Sequence, residues 1–486
     1  MDEWRTLLFE FWGYLVAGLH FATMTLAAGH AVIYKRDYRA TTGWVGLICL
    51  VPFLGAGLYW LLGINRIFRR AEVLRSRRDA WDCPEEPGEC DAARVPQVLA
   101  AHANHFRPMT RLVAQLTGRA LLDGNQVLPL RSGHEAYPAM LKAINGAQRS
   151  ILFSSYIFDT DVPGQEFVSA LGGAVERGVE VRVLLDGIGC HYSRPSVIPA
   201  LERAGVRVRT FLPNRLPWRL RYANLRNHRK ILVVDGHLGF TGGMNIRHGN
   251  LLPAGERGSV NDLHFQIEGP AVFHMQETAA RDWAFVTREI LEGETWFPDL
   301  HGAGDVLARG ISDGPDEDIE VLRLTLLGAI GSAETSIQIV TPYFLPDQAL
   351  LTALTVAVLR GVQVDVALPE KSNLKLVQWA TTSQLWQILQ RGVRVWASPP
   401  PFDHTKLFVV DGVWSLIGST NWDARSLRLN FEFNVECYDR VLAERLSALV
   451  AEKISGSKQV TLQQVNGRSL PTRLRDGLAR LLTPYL

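Results

Sequence analysis

Two stretches of this chain repeat the same reactive side chains at the same spacing. The first is His228-Arg229-Lys230-Ile231-Leu232-Val233-Val234-Asp235, followed by Thr241-Gly242-Gly243-Met244-Asn245. The second is His404-Thr405-Lys406-Leu407-Phe408-Val409-Val410-Asp411, followed by Ile417-Gly418-Ser419-Thr420-Asn421. In each, Lys stands two residues after His, Asp seven and Asn seventeen. Residues two apart on a strand point to one face, so an imidazole and an ammonium can meet one ligand. Gly243 and Ser419 allow close backbone approach, where Asn245 and Asn421 can donate to a phosphoryl oxygen. Such a set suits a phosphodiester. Lys230 and Lys406 neutralise the phosphoryl oxygens and the pentacovalent transition state. One of His228 and His404 attacks phosphorus, and the other protonates the leaving alkoxide. A lone His-x-Lys would mean little, and the bland alternative is a duplication with a dead site. Survival of every reactive residue in both copies speaks against that. Asp235 and Asp411 complete the motif, but their place at the far end of a buried strand suits turn ordering better than acid–base chemistry. Direct chemistry stays as their second reading.

The elements that position these residues repeat as well. Ser150-Ile151 followed by Tyr156-Ile157-Phe158 returns as Ser336-Ile337 followed by Tyr343-Phe344. Arg177-Gly178-Val179-Glu180-Val181 returns as Arg360-Gly361-Val362-Gln363-Val364, and Ala204-Gly205-Val206-Arg207-Val208 as Arg391-Gly392-Val393-Arg394-Val395. A helical pattern ending at glycine and passing into a β-branched run, as at Leu171 to Leu185, predicts helices alternating with strands. The expected fold is α/β, with two duplicated lobes, 121–302 and 303–486, packed as a pseudo-dimer. The site then lies at their junction and draws equivalent residues from each.

Before the lobes the chain changes character. From Phe11 to Ile33, and again from Gly43 to Ile64, no Asp, Glu, Lys or Arg occurs. Roughly 20 apolar residues cross a bilayer as helix, so residues 1–65 read as a membrane-anchoring helical hairpin with a connector at Lys35-Arg36-Asp37-Tyr38-Arg39. The start, Asp2-Glu3-Trp4-Arg5, and the second apolar run argue against a cleaved signal peptide. His20, His30 and Pro52 suit a hairpin that packs on itself or dips partway, the histidines acting in packing rather than metal binding. Residues 66–120 read as a basic juxtamembrane linker. Arg66, Arg69, Arg70, Arg75, Arg77 and Arg78 favour a cytoplasmic body and attract anionic headgroups.

Composition adds bounds. In 486 residues, 47% are hydrophobic and 21% charged, which is ordinary for globular lobes. Five cysteines, few and odd in number, argue against a disulfide framework and for a reducing compartment. Cys83, Cys90, His102 and His105 are zinc-ligand types, but their spacing matches no common zinc pattern, so no metal is expected. A net charge of +2 does not suggest the long basic groove of a nucleic-acid enzyme. Asn214-Arg215-Leu216-Pro217-Trp218-Arg219-Leu220-Arg221-Tyr222 suits either an anionic interface or an ordinary surface loop. The amphipathic stretch from Arg473 to Leu482 suits the membrane surface or packing on the body.

The paired motif resembles the signature of the phospholipase D superfamily, from about residue 121 onward. Within it, Pro52-Phe53-Leu54-Gly55, the run Tyr59 to Arg66, Ile267-Glu268-Gly269-Pro270-Ala271-Val272, Asn421-Trp422-Asp423-Ala424-Arg425-Ser426 and Asn430-Phe431-Glu432-Phe433-Asn434 are similar to bacterial cardiolipin synthases. The resemblance then spans nearly the whole chain. It implies a phosphohistidine intermediate without metal or other cofactor, with His228 as nucleophile and His404 as general acid, an assignment that near-symmetry makes reversible. It also implies a carboxylate further along that orients each histidine, for which Asp262 and Glu432 are the candidates. The implied reaction transfers a phosphatidyl group from one phosphatidylglycerol to another and releases glycerol. The partners are then phosphatidylglycerol and anionic membrane lipids, with no nucleic acid, and with homo-oligomers left open. The implied location is the bacterial inner membrane, multi-pass, with the catalytic body on the cytoplasmic side. A membrane-bound hydrolase or nuclease with the same two-histidine chemistry is the alternative, and a non-enzymatic scaffold the more distant one.

Overall fold

The computed structural model describes residues 2–35, 38–51, 53–63, 104–212, 225–314 and 320–483. Arg36, Asp37, Pro52, the arginines from Arg66 to Arg78, Cys83, Cys90, His102 and the stretch 214–222 lie outside the described residues. The chain divides into two compact units, Met1–Glu72 and Val73–Leu486.

In the first unit, helix α1 (Asp2–Tyr34) packs on α2 (Tyr38–Leu50) through Ala27, Ala31 and Ile48, with Ala56 and Tyr59 closing the cluster. Small residues on α1 permit this approach. Phe11–Tyr34, 24 residues long, is long and apolar enough to cross a membrane. The second apolar segment, which Pro52 makes a candidate for dipping only partway, is not one continuous helix. It breaks after Leu50 into a short helix, Leu54–Leu58, and a π-helical turn, Tyr59–Gly63. Phe53 takes φ 55°, and Gly55 lies so close to the chain before it that a Cβ would meet the Leu47 carbonyl oxygen at 2.3 Å. The histidines serve packing: Nδ1 of His30 lies 2.7 Å from the Tyr59 hydroxyl, and the His20 ring lies 5.3 Å from Phe53.

In the second unit, the first lobe contributes β1 (Leu122–Arg131), β2 (Ser150–Ser155), β3 (Glu180–Asp186), β4 (Arg207–Phe211), β5 (Ile231–Val234), β6 (Leu238–Gly242) and β7 (Leu263–Glu268). The second contributes β8 (Val306–Asp313), β9 (Ser336–Val340), β10 (Gln363–Pro369), β11 (Arg394–Ser398), β12 (Leu407–Val410), β13 (Trp414–Gly418), β14 (Asn430–Tyr438) and β15 (Lys458–Val460). The spatial order is β15-β11-β10-β9-β12-β13-β14-β8-β1-β7-β6-β5-β2-β3-β4. Read outward from the β8–β1 seam, both lobes follow one sequence of strands, to which the second adds the edge strand β15. That seam is antiparallel, Leu122 opposite Ala308, and it joins the two lobes within one compact unit.

The local rules are repeated too. Asp161 caps helix α3 (Val162–Glu176), accepting the Gly164 N–H, and Asp347 caps α4 (Gln348–Leu359), accepting those of Ala349 and Leu350. Gly178 and Gly361 follow at φ 86° and 93°, where a side chain would be strained. On one sheet face, α5 (Val272–Thr287) covers the first lobe and α6 (Arg440–Ser455) the second, and Trp283, Phe265, Phe433 and Leu446 share a core there. The C-terminal helix α7 (Leu470–Leu481) turns Asp476 and Ala479 inward and lays Arg475 on Trp379 at 4.2 Å. Its other face exposes Leu470, Leu474, Leu478 and Leu481.

Candidate active site

The motif histidines stand at the ends of short approach segments, and each approach segment pairs with the other lobe. Arg226–Asn227 runs parallel to the start of β14, with Asn227 opposite Phe431, and the His228 N–H donates to the Phe431 carbonyl at 2.9 Å. Phe402–Asp403 runs parallel to Val260–Asn261, and the His404 N–H donates to the Asn261 carbonyl at 2.7 Å. One residue further along those partner strands come Glu432 and Asp262. The register therefore delivers each carboxylate to the histidine of the opposite lobe. Nδ1 of His228 lies 3.0 Å from both carboxylate oxygens of Glu432. Nδ1 of His404 lies 2.7 Å from Oδ2 of Asp262.

Both carboxylates are almost fully buried and are held by further donors. Glu432 accepts from the Ser419 hydroxyl and from the Asn430 amide at 3.0 Å. Asp262 accepts the Leu263 N–H at 2.8 Å. Gly243 lies against it so tightly that a Cβ would come within 2.3 Å of Oδ1. Gly243 and Ser419, expected to serve a ligand, are thus placed behind the carboxylates that face the histidines.

The lysines fold back on their own histidines. The Lys230 ammonium donates to the His228 carbonyl at 2.7 Å, and that of Lys406 to the His404 carbonyl at 2.5 Å. Lys406 also stands 3.0 Å from Nδ1 of His404. Burial drives the Lys230 ammonium down to about 7 and that of Lys406 to about 8, against the pull of Glu432 and Asp262. Burial likewise brings His228 down to about 4, with Glu432 opposing and Lys230 and Lys406 reinforcing. His404 is lowered by burial and then by Lys406 and Lys230. Each histidine therefore feels both lysines, which brings the two motifs into one electrostatic site. Burial would raise Glu432 and Asp262, but the histidines and lysines outweigh it and hold both carboxyls ionised.

The remaining motif residues have distinct places. Oδ1 of Asn245 accepts the Ile157 N–H at 3.1 Å, while the Asn421 amide faces the Ser426 hydroxyl at 3.3 Å; both side chains are buried. Asp235 accepts the N–H groups of Gln148, Arg149 and Ser150, and Asp411 those of Glu334, Thr335 and Ser336. Each thereby orders the turn that starts β2 or β9. His105, weighed above among zinc-ligand types, lies 2.9 Å from Asp411. Among the described residues no group of three or more His, Cys, Asp or Glu could hold a metal.

Sequence reasoning used Tyr156 and Tyr343 only as markers of the repeat. The Tyr156 ring stands edge-on to His228 at 5.0 Å with the Lys230 ammonium 5.3 Å over its face, and the Tyr343 ring lies 6.5 Å from His404. Their matched positions were the available signal. Arg226, two residues before His228, donates to the Tyr156 hydroxyl at 3.0 Å and was missed because nothing in the second motif corresponds to it.

Known proteins resemble this chain in sequence and in fold. A family model described as "Cardiolipin synthase, PLD-like domain" matches residues 140–283 and 326–453, and one described as "Phospholipase D-nuclease N-terminal" matches 24–63. The chain is 30% identical over 477 residues to a cardiolipin synthase of Listeria monocytogenes, covering 97% of this chain and 99% of that protein. It is 31% identical over 471 residues to a cardiolipin synthase of Staphylococcus aureus, covering 95% of each. The fold is similar to the crystal structure of a phosphatidylserine synthase from Haemophilus influenzae. The TM-score is 0.59 at 14% identity, covering 78% of this chain and all of that one.

Proposed function

The chain belongs to the phospholipase D-like cardiolipin synthases, and from that premise we propose that it transfers a phosphatidyl group from one phosphatidylglycerol to another, releasing glycerol. The observation that carries the mechanism is the crossed support of the two imidazoles, His228 by Glu432 and His404 by Asp262. In the first step Nε2 of His228 attacks phosphorus, the bond to the headgroup oxygen breaks, and His404 gives that oxygen a proton. Glycerol leaves and phosphohistidine remains. In the second step the hydroxyl of another phosphatidylglycerol attacks phosphorus, the P–N bond breaks with its electron pair returning to His228, and His404 takes the hydroxyl proton. Near-symmetry lets the histidines exchange these roles.

The perturbed protonation states support this reading. With no anion bound, His228 is neutral and nucleophilic at neutral pH. A phosphodiester between the lysines adds negative charge, which raises both ammonium groups and favours an imidazolium at His404 beside Asp262. Asn245 and Asn421 then contact phosphoryl oxygens, and Asp235 and Asp411 contribute by fixing the motif strands rather than by moving protons. No metal or cofactor is needed for these steps.

Membrane association follows from the family and from α1. We place the hairpin in the bacterial inner membrane as a multi-pass anchor with the body on the cytoplasmic side, which the basic residues from Arg66 to Arg78 support. Confining donor and acceptor to one surface raises their effective concentration. A homo-oligomer is compatible with this arrangement, and no nucleic-acid partner is proposed.

The test is to incubate the full-length protein, and its His228→Ala and His404→Ala variants, with phosphatidylglycerol in mixed micelles, and to quantify lipids and free glycerol. Cardiolipin with matching glycerol is expected, lost in both variants. Phosphatidic acid as the sole product would make the protein a hydrolase.

A further inference from the structure

The duplicated motifs agree at every reactive position, so their disagreements nearby are informative. Two residues before the histidine stands Arg226 in the first lobe and Phe402 in the second. Four residues after the asparagine stands Gly249 in the first and Arg425 in the second. Both arginines fall on the same side of the site. Arg226 pairs in register with Asn430, and the Asn430 N–H donates to the Arg425 carbonyl at 3.0 Å. The two guanidinium groups act on each other: Arg425 is lowered by burial first and by Arg226 next. On the other side, the Phe402 ring lies 6.0 Å from His404. The centre thus has a cationic flank at His228 and an aromatic flank at His404.

The cationic flank is one ring removed from the reacting imidazole. Arg226 reaches the Tyr156 hydroxyl at 3.0 Å, and the Tyr156 ring stands 5.0 Å from His228. Nε of Arg226 is shielded from water and has no hydrogen-bond partner among the described residues. Asp186 attracts Arg226 and Asp423 attracts Arg425, and both carboxylates also hold backbone N–H groups. Asp186 accepts from the N–H groups of Ile188, Gly189 and Asn227, and Asp423 from that of Ser426. A buried donor left unmet beside a second guanidinium is costly, and an anion that accepts from it would remove that cost.

The reaction supplies such an anion. An acceptor phosphatidylglycerol brings a phosphodiester that does not react, joined through its glycerol to the hydroxyl that does. The lysines are occupied by the donor phosphorus, so the second phosphate needs cations of its own. We propose that Arg226 and Arg425 form a second anion subsite, which holds the phosphodiester of the acceptor lipid while its hydroxyl reaches the phosphohistidine. This rests on the transferase reading above. Water and neutral alcohols carry no such phosphate, so the subsite favours the lipid acceptor over hydrolysis.

The test gives the full-length protein phosphatidylglycerol in mixed micelles with ethanol as a competing neutral acceptor. The readout is the ratio of cardiolipin to phosphatidylethanol within one mixture. Arg226→Gln, and the double variant with Arg425→Gln, should lower that ratio tenfold or more, and Arg226→Lys should lower it less. Loss of folded protein reduces both products alike and leaves the ratio unmoved. If Arg226→Gln does not fold, Arg226→Lys and Arg425→Gln each carry the same measurement. A ratio equal to that of the unsubstituted protein overturns the subsite and assigns the arginines to the donor or to packing. Failure of the unsubstituted protein to make cardiolipin while it makes phosphatidylethanol would instead sink the acceptor reading on which the subsite depends.

Discussion

In the first lobe, Arg229 of the motif is buried against Asp282 of α5 at 2.5 Å; in the second, Asp403 before the motif meets Lys453 of α6 at 2.5 Å. The same junction, motif segment to covering helix, is clamped in both lobes with the charges reversed. The carboxylates facing the histidines show a parallel divergence. Glu432 is met by Ser419 and Asn430, whereas the shorter Asp262 is fitted by the missing side chain of Gly243. The reactive set is kept in duplicate, while each supporting contact is free to change as long as a complementary change accompanies it.

The crossed carboxylates offer the largest effects. Glu432→Gln and Asp262→Asn should each lower kcat/KM on the order of a thousandfold by losing the group that orients an imidazole. Glu432→Gln should also lower Tm more, since it disturbs Ser419 and Asn430 as well. Equal Tm losses would mean that the extra donors of the second lobe do not matter.

Next come the reversed clamps. Arg229→Met leaves the buried Asp282 charge without its cation, held among the described residues only by the Asn227 amide, and should cost about 3–5 kcal/mol in denaturant unfolding. Lys453 is 24% exposed, so solvent screens its pair, and Lys453→Met should cost about 1 kcal/mol. A reversed order would show that the fold relies on the second clamp instead.

Exchanging the small residues sharpens the comparison further. Ser419→Gly removes the hydroxyl that donates to Glu432 and accepts the Phe433 N–H, at about 1 kcal/mol per bond. Gly243→Ser forces atoms onto Asp262 and should lower transfer activity more than Ser419→Gly does, read as kcat with folding checked by thermal melting.

The smallest expected effect is in pH dependence. Lys230 is held down to about 7 and Lys406 to about 8, so kcat/KM should begin to fall near pH 7 as Lys230 loses its charge. Lys230→Arg should move that alkaline limb upward toward the titration of Lys406. For stability the sign is opposite on the acid side. His228 is neutral in the fold down to about 4 but titrates near 6.5 when unfolded, so stability should decline as pH falls from about 6.5 to 4.

The sequence carried the duplication because period, capping and glycine signals are local, and Asp161 with Gly178 is mirrored by Asp347 with Gly361. The motif residues were legible for the same reason. The crossing of Glu432 and Asp262 was not, because it depends on strand pairing between lobes far apart in the chain. The break in the second apolar segment was legible only through Pro52, since composition does not register the close approach at Gly55. Arg226 and Arg425 carry no signal of duplication, because they stand where the two halves differ.

The crossed pairing also has a consequence in time. During synthesis the first lobe emerges with His228, Lys230 and Asn245 in hand, but Phe431 and Glu432, which seat and orient that histidine, are still to be translated. Asp262 emerges early and waits for His404. On the proposed mechanism, chemistry on the membrane's lipids is withheld until almost the last strand of the sheet has been made, and a chain terminated before β14 lacks the carboxylate that faces His228.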